Sequence, residues 1–318
     1  MILVGIAYNT LVVAAGVAAV GFAAGVVGAL CVLRKRALVG DAAAHATLVG
    51  VACSFLITGR RDLATLLAGA LVAAFVGLGT LVLMRRFTRT RDDAATAIVI
   101  GVSFGLGIAL VSGLPAWGYA ESAGLEQFLL GHTAGLTASD AALLAGVAVL
   151  TVAAVAAGLK EATLVAFDAA FAAASGWPVA VIDYLLVALV AVMVVAGLPA
   201  VGAVLVTALV VIPPVTARYW TERVGSMLVL SGCLGLTAAV VGVAVSAGRP
   251  GLATGPLVVL AAAAFFTVSF LFAPRRGWIA QRLAAARMSR EWLQDRAEHA
   301  RDPSGMPPAM FPDGEPHP

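Results

Sequence analysis

The 318-residue chain is 61% hydrophobic and 12% charged, against roughly a quarter charged in ordinary soluble domains. Its charges fall in short groups between apolar runs of about 15 to 28 residues, lengths that cross a bilayer core of roughly 30 Å as helices. This excludes a soluble enzyme and predicts an all-α, polytopic integral membrane bundle, while a net charge of +3 from eighteen arginines and only two lysines, Lys35 and Lys160, reads as topology signal rather than a nucleic-acid-binding surface.

In chain order the predicted spans are Ile6–Leu33, Ala42–Ile57, Leu63–Met84, Ala94–Leu114, Ala141–Leu159, Tyr184–Leu198, Ala200–Ala217, Val224–Ala247 and Leu252–Phe272. The count is about nine, within bounds of eight and ten. Met1–Tyr8 carries no basic segment, so no removable signal peptide is expected. The sixth and seventh spans are separated only by Ala196–Ala200, where Gly197 and Pro199 mark either a tight turn or a kink. Basic residues follow the odd-numbered spans: Arg34–Arg36, Arg85 to Arg91, Lys160, Arg218 with Arg223, and Arg275 with Arg276. Basic loops stay in the cytoplasm, so the N-terminus is expected outside and the C-terminus inside.

The first informative constellation is Gly40–His45, GDAAAH, at the entry to the second span. Asp41 and His45 are four apart and project from one helix face. A carboxylate and an imidazole together suit a divalent transition ion. The pattern also fits a helix-start Asp and a His packed near the headgroups. Scarcity favours the functional reading, because the apolar runs hold no other side chain ionisable near neutral pH apart from the weakly acidic thiols. Cys31, Cys53 and Cys233 are far apart and read as packing residues. Cys53, eight residues after His45, lies near the same face and is a conceivable extra ligand.

Gly101–Gly105, GVSFG, has the letters of a nucleophile elbow but sits in an apolar run, where small-residue helix packing is the better reading. The outside loop from Glu121 through Glu126 to His132 is acidic and reads either as a solvated loop or as a surface meeting a cation or a delivery protein. Lys160–Asp183 is a cytoplasmic loop with Phe167, Phe171 and Trp177, read equally well as a short docking helix or as an ordinary connecting loop. Pro213–Pro214 removes two backbone donors and is expected to break or kink its helix near the cytoplasmic face. From Arg275 the chain turns Arg-rich and amphipathic, with Trp278, Met288 and Trp292, then Pro-rich from Asp302. Residues 275–318 are expected as a cytoplasmic surface helix and a disordered tail behind a transmembrane domain of residues 1–274. Neither lysine stands in Gly-Lys-Ser/Thr, so this chain has no P-loop, and its four histidines stand singly, so it has no HExxH.

Four segments in order resemble the permease subunit of metal-ion ABC importers, the manganese, zinc and iron chelate type known as the ABC-3 family. They are Val32–His45 (VLRKRALVGDAAAH); Leu125–Gly131 (LEQFLLG) with Gly135–Asp140 (GLTASD); Phe167–Ala172 (FDAAFA) with Gly176; and Val201–Ala217 (VGAVLVTALVVIPPVTA). The resemblance spans about Ala23 to Phe272. It implies an ABC importer permease fold in a bacterial plasma membrane. Asp41 and His45 would be the metal pair, contributed twice in a homodimer. The transported substrate would be Mn or Zn, with no permanently bound cofactor. Phe167, Asp168, Phe171, Ala172 and Gly176 would form a coupling helix seated on a separate ATP-binding subunit, which supplies the hydrolysis. An extracytoplasmic lipoprotein or periplasmic protein would deliver the metal. Pro199 and His132 depart from the family's usual glutamines. The charge pattern also puts Asp41 close to the cytoplasmic arginines, whereas a family-like site lies deeper. The other readings are a permease for a chelate or cobalamin-like cargo, an intramembrane hydrolase using Ser103 with His45, and a non-transporting scaffold.

Overall fold

The computed structural model describes residues 2–59, 62–117, 136–248, 252–274 and 276–282, together with Met288 and Trp292. Among the described residues there are eleven α-helices, one 3₁₀ turn at Pro115–Trp117, and no strand. The helices are α1 (Ile2–Leu33), α2 (Val39–Thr58), α3 (Leu63–Phe87), α4 (Asp92–Gly113), α5 (Ala138–Ala157), α6 (Leu159–Phe167), α7 (Ala169–Ala174), α8 (Val179–Val201), α9 (Ala203–Arg218), α10 (Val224–Gly248) and α11 (Thr254–Phe272). Eight are long and apolar enough to cross a membrane, and α9, at 16 residues, is the shorter ninth. The chain is therefore a multi-pass helical bundle, as expected. The loop carrying Glu121, Glu126, Gly131 and His132 lies outside the described residues, as does most of the tail. Of the tail, residues 278–282 are helical and set the Arg282 guanidinium 5.2 Å from the Trp278 ring.

Water drives nothing together inside a bilayer, so small residues that let backbones approach, and interhelical hydrogen bonds, hold the bundle. The central post is α1, whose Val17, Val20, Ala23, Ala24, Val27 and Ala29 are fully buried. It runs against α10, where the buried Ser231 hydroxyl donates to the Gly25 carbonyl at 2.7 Å. On another side it meets α9. A methyl group on Gly28 would stand 1.9 Å from the Val210 carbonyl oxygen, so only glycine permits this crossing. Pro214 explains which carbonyl is there. It has no N–H, so Val210 loses its i+4 donor, and the freed oxygen lies over the bare Cα of Gly28.

The double proline does not end the helix. Pro213 and Pro214 are both buried inside α9, which runs on to Arg218. The chain breaks instead at Gly202, with φ 84° and ψ 157°, a conformation essentially confined to glycine. Pro199 stays within α8, and the expected turn at Gly197–Pro199 sits a few residues later. Where α9 ends, the Trp220 indole N–H donates to the Ser269 hydroxyl of α11 at 2.8 Å.

The α1–α2 turn sets the depth of the second helix. Lys35 takes a left-handed φ of 56°, and the Arg36 N–H returns to the Cys31 carbonyl at 2.8 Å. From there the chain climbs into the bundle. A methyl on Gly40 would touch Val210 and Val190 at 3.5 and 3.8 Å. Val190 lies seven residues along α8 from Asp183, a rise of about 10 Å, and Asp183 is the residue that pairs with Arg34. The first turn of α2, whose Val39 N–H bonds the Arg36 carbonyl at 3.2 Å, thus reaches from the basic residues to a point about two turns along α8 from Asp183.

Candidate metal site and the short helix after it

Helix α2 is buried on most sides, with Ala42, Ala43, Ala44 and Ala46 at 2% exposure or less. One stripe escapes: Asp41, His45, Val49 and Cys53, spaced by four, are each only half-buried. Asp41 stands in the first turn of α2, where the positive end of the helix dipole favours a carboxylate. Its Oδ1 lies 3.5 Å from His45 Nε2, and the two side chains are 40% and 30% exposed. The His45 ring meets the edge of Phe104 on α4 with centroids 5.2 Å apart. The structure thus brings Asp41 and His45 together, as their spacing predicts, and adds Phe104, which the spacing did not point to. Cys53 does not join them, because eight residues of helix put it about 12 Å from His45 along the axis.

Among the described residues no group of three or more His, Cys, Asp or Glu side chains converges. Among the described residues, Asp41 and His45 therefore offer a transition ion a carboxylate and an imidazole, fewer donors than the four or more that are usual. Beside this pair the face of α4 is uncovered: Ile98, Val102 and Phe104 are 47%, 64% and 45% exposed. A methyl on Gly101 or Gly105 would meet nothing within 4 Å among the described residues, so these glycines pack against none of the helices described. Ser103 sits in the unbroken helix α4, which lacks the strand–turn–helix geometry that exposes a catalytic serine.

The short helix expected between Lys160 and Asp183 is α7. Asp168 caps it, its Oδ1 accepting the Phe171 N–H at 2.8 Å. Ala172 is buried, and its carbonyl accepts the Trp177 N–H at 3.0 Å. Gly176 turns the chain with φ 84°. Phe167, Phe171 and Trp177 remain 65%, 59% and 43% exposed, large apolar groups that the chain itself does not cover. Behind α7 lies a cluster with no local sequence signal. Asp183 of α8 holds Arg34 at 2.5 Å and Arg36 at 3.1 Å.

The sequence model of the ABC 3 transport family matches residues 7–273. The chain is 40% identical over 288 residues to the manganese transport system membrane protein MntC of Bacillus subtilis, covering 91% of this chain and 66% of that longer relative. It is 36% identical to the zinc transport system membrane protein TroC of Treponema pallidum, covering 85% of this chain and 90% of the relative. Among solved structures, PsaBC from Streptococcus pneumoniae in complex with Fab contains a chain that superposes with a TM-score of 0.72 at 29% identity, covering 85% of this chain and 94% of that one.

Proposed function

Because the chain belongs to the ABC 3 transport family, we propose that it is the membrane-spanning permease subunit of an ATP-driven importer of divalent metal ions, manganese or zinc. The observation that carries the choice of substrate is the Asp41–His45 pair, 3.5 Å apart on the half-buried stripe of a mostly buried helix. A hard carboxylate oxygen beside an imidazole nitrogen suits Mn²⁺ and Zn²⁺ and disfavours Cu(I), which prefers sulfur.

Two ligands per chain and an uncovered α4 face support a second copy of the chain across a twofold axis, where paired Asp41 and His45 supply four donors. The substrate is bound while occluded and released as the pair separates. The drive comes from outside the chain, since it contains no Gly-Lys-Ser/Thr. A separate ATP-binding subunit seats on the capped helix α7, with Phe167 and Phe171 as its apolar anchors and Asp168, Ala172 and Gly176 holding the shape. An extracytoplasmic metal-binding lipoprotein or periplasmic protein hands over the ion. The chain lies in a bacterial plasma membrane with its C-terminus, including the Arg-rich segment after residue 274, in the cytoplasm.

The test is uptake of radioactive Mn²⁺ and Zn²⁺ by cells lacking their own importers and expressing this chain with its ATPase and binding protein. One metal enters with the wild-type chain and fails to enter with Asp41→Ala plus His45→Ala at equal membrane level. Normal uptake by the double variant overturns the site.

A further inference from the structure

The cluster behind α7 joins three parts of the chain that are far apart in sequence. The Arg34 guanidinium donates through Nη1 to the Val165 carbonyl of α6 and through Nη2 to Asp183 Oδ1 of α8 at 2.5 Å. Arg36 Nη2 holds the second oxygen, Asp183 Oδ2, at 3.1 Å. The three side chains are only 12%, 17% and 20% exposed, so water screens them little, unlike an ordinary surface pair. Lys35 between them is exposed.

The placement of this fork is what gives it a role. Val165 lies four residues before α7, and the exposed Phe167 at the end of α6 and Phe171 of α7 form the proposed ATPase-facing surface. Arg34 opens the five-residue turn into α2 and precedes Asp41 by seven residues. We infer that Arg34 is a positioning residue that couples ATP hydrolysis to the metal pair: it ties the ATPase-facing α6–α7 segment and α8 to the turn that carries Asp41 and His45. This rests on the permease reading above.

The arithmetic of donors supports a link that can move. A carboxylate offers two oxygens, and here two arginines share it. If α6 shifts and Arg34 follows the Val165 carbonyl, Arg36 still neutralises Asp183, so the carboxylate is not stranded in a dry site. A lysine cannot substitute, because a point charge with three tetrahedral donors does not reproduce the planar fork that reaches a carbonyl and a carboxylate together.

The experiment uses the complex of this chain with its ATP-binding subunit in proteoliposomes, reading Mn²⁺ uptake and ATP hydrolysis on the same sample. Arg34→Lys and Asp183→Asn are expected to lower uptake per ATP about tenfold while hydrolysis stays within about twofold of wild type, a coupling loss of the usual size for linked sites. Asp183→Glu, which keeps the charge, and Lys35→Gln, in the same turn, retain wild-type coupling. Equal proportional loss of uptake and hydrolysis, unchanged uptake per ATP, or failure of both variants to assemble with the ATPase would each overturn the inference in favour of a merely structural cluster. No Mn²⁺ uptake by the unmutated complex, with Zn²⁺ also excluded, would instead overturn the permease reading beneath it.

Discussion

Gly28→Ala tests the tightest glycine crossing among the described residues. The added methyl would lie 1.9 Å from the Val210 carbonyl oxygen and 2.9 Å from Pro214 Cγ, whereas ordinary contact with a Cβ begins at 3.4 Å. The oxygen cannot turn away, because it belongs to a helix, so α1 and α9 must move apart by roughly 1.5 Å. A gap of that size forfeits half or more of the dispersion energy along the seam, which includes Val27, Val206, Leu209 and Val210, all at most 1% exposed. The expected loss is about 3 kcal/mol, at the upper end of overpacking costs. Unfolding of the purified chain by sodium dodecyl sulfate in mixed micelles, followed by circular dichroism, reads it as a lowered midpoint. Gly146→Ala on α5 is the internal reference. There a methyl meets nothing within 4 Å, and replacing a helical glycine with alanine should stabilise by roughly 0.5–1 kcal/mol. A Gly28→Ala midpoint within about 0.5 kcal/mol of wild type, well inside the scatter of surface substitutions, would refute the crossing.

Asp41→Ala or His45→Ala should each reduce metal uptake by at least about tenfold, the floor seen even for residues one step removed from a metal, while Cys53→Ala leaves uptake unchanged. Phe171→Asp places a charge on the exposed side of α7 and should abolish co-purification of the ATP-binding subunit, with the chain's own unfolding midpoint kept within about 0.5 kcal/mol. Trp220→Phe removes the donor to Ser269 and should cost about 1 kcal/mol in the same unfolding assay.

The order and number of the long helices were legible because a bilayer imposes length on apolar runs, and charges mark where they stop. The same charges displaced several helix starts, as two elements illustrate. Asp41 suggested a second span starting at Ala42, yet α2 starts at Val39, since a carboxylate in a first turn is compatible with helix. Asp183 suggested a sixth span starting at Tyr184, yet α8 starts at Val179 because that acid is neutralised by Arg34 and Arg36. The Asp41–His45 pair was readable because it is local, four residues on one helix. Phe104 and the Arg34–Asp183 link were not, as their partners lie 59 and 149 residues away and periodicity carries no information over such distances. Of the break or kink expected at Pro213–Pro214, the break is excluded, since the helix runs on to Arg218. Proline removes donors, but the consequence depends on what takes the freed carbonyl, and that neighbour, Gly28, comes from another helix.

The proposed metal pair and the apolar flank beside it have a common physical root. A carboxylate 40% exposed and an imidazole 30% exposed cannot rest against acyl chains, where an ionised side chain costs several kcal/mol. The apolar flank of α4, with Val102 64% exposed and open space at Gly101 and Gly105, cannot rest against water without losing its own burial. A polar stripe bordered by an apolar, glycine-lined flank is satisfied when the flank is covered by protein and the stripe faces an enclosed path. The proposed second copy does both, covering α4 and bringing the missing two donors opposite Asp41 and His45. On this account Gly105→Leu, which has room within the single chain, should leave monomer unfolding near wild type, yet reduce dimer recovery and uptake together. Retained uptake by that variant would show that the α4 flank faces lipid and that the ion path is built elsewhere.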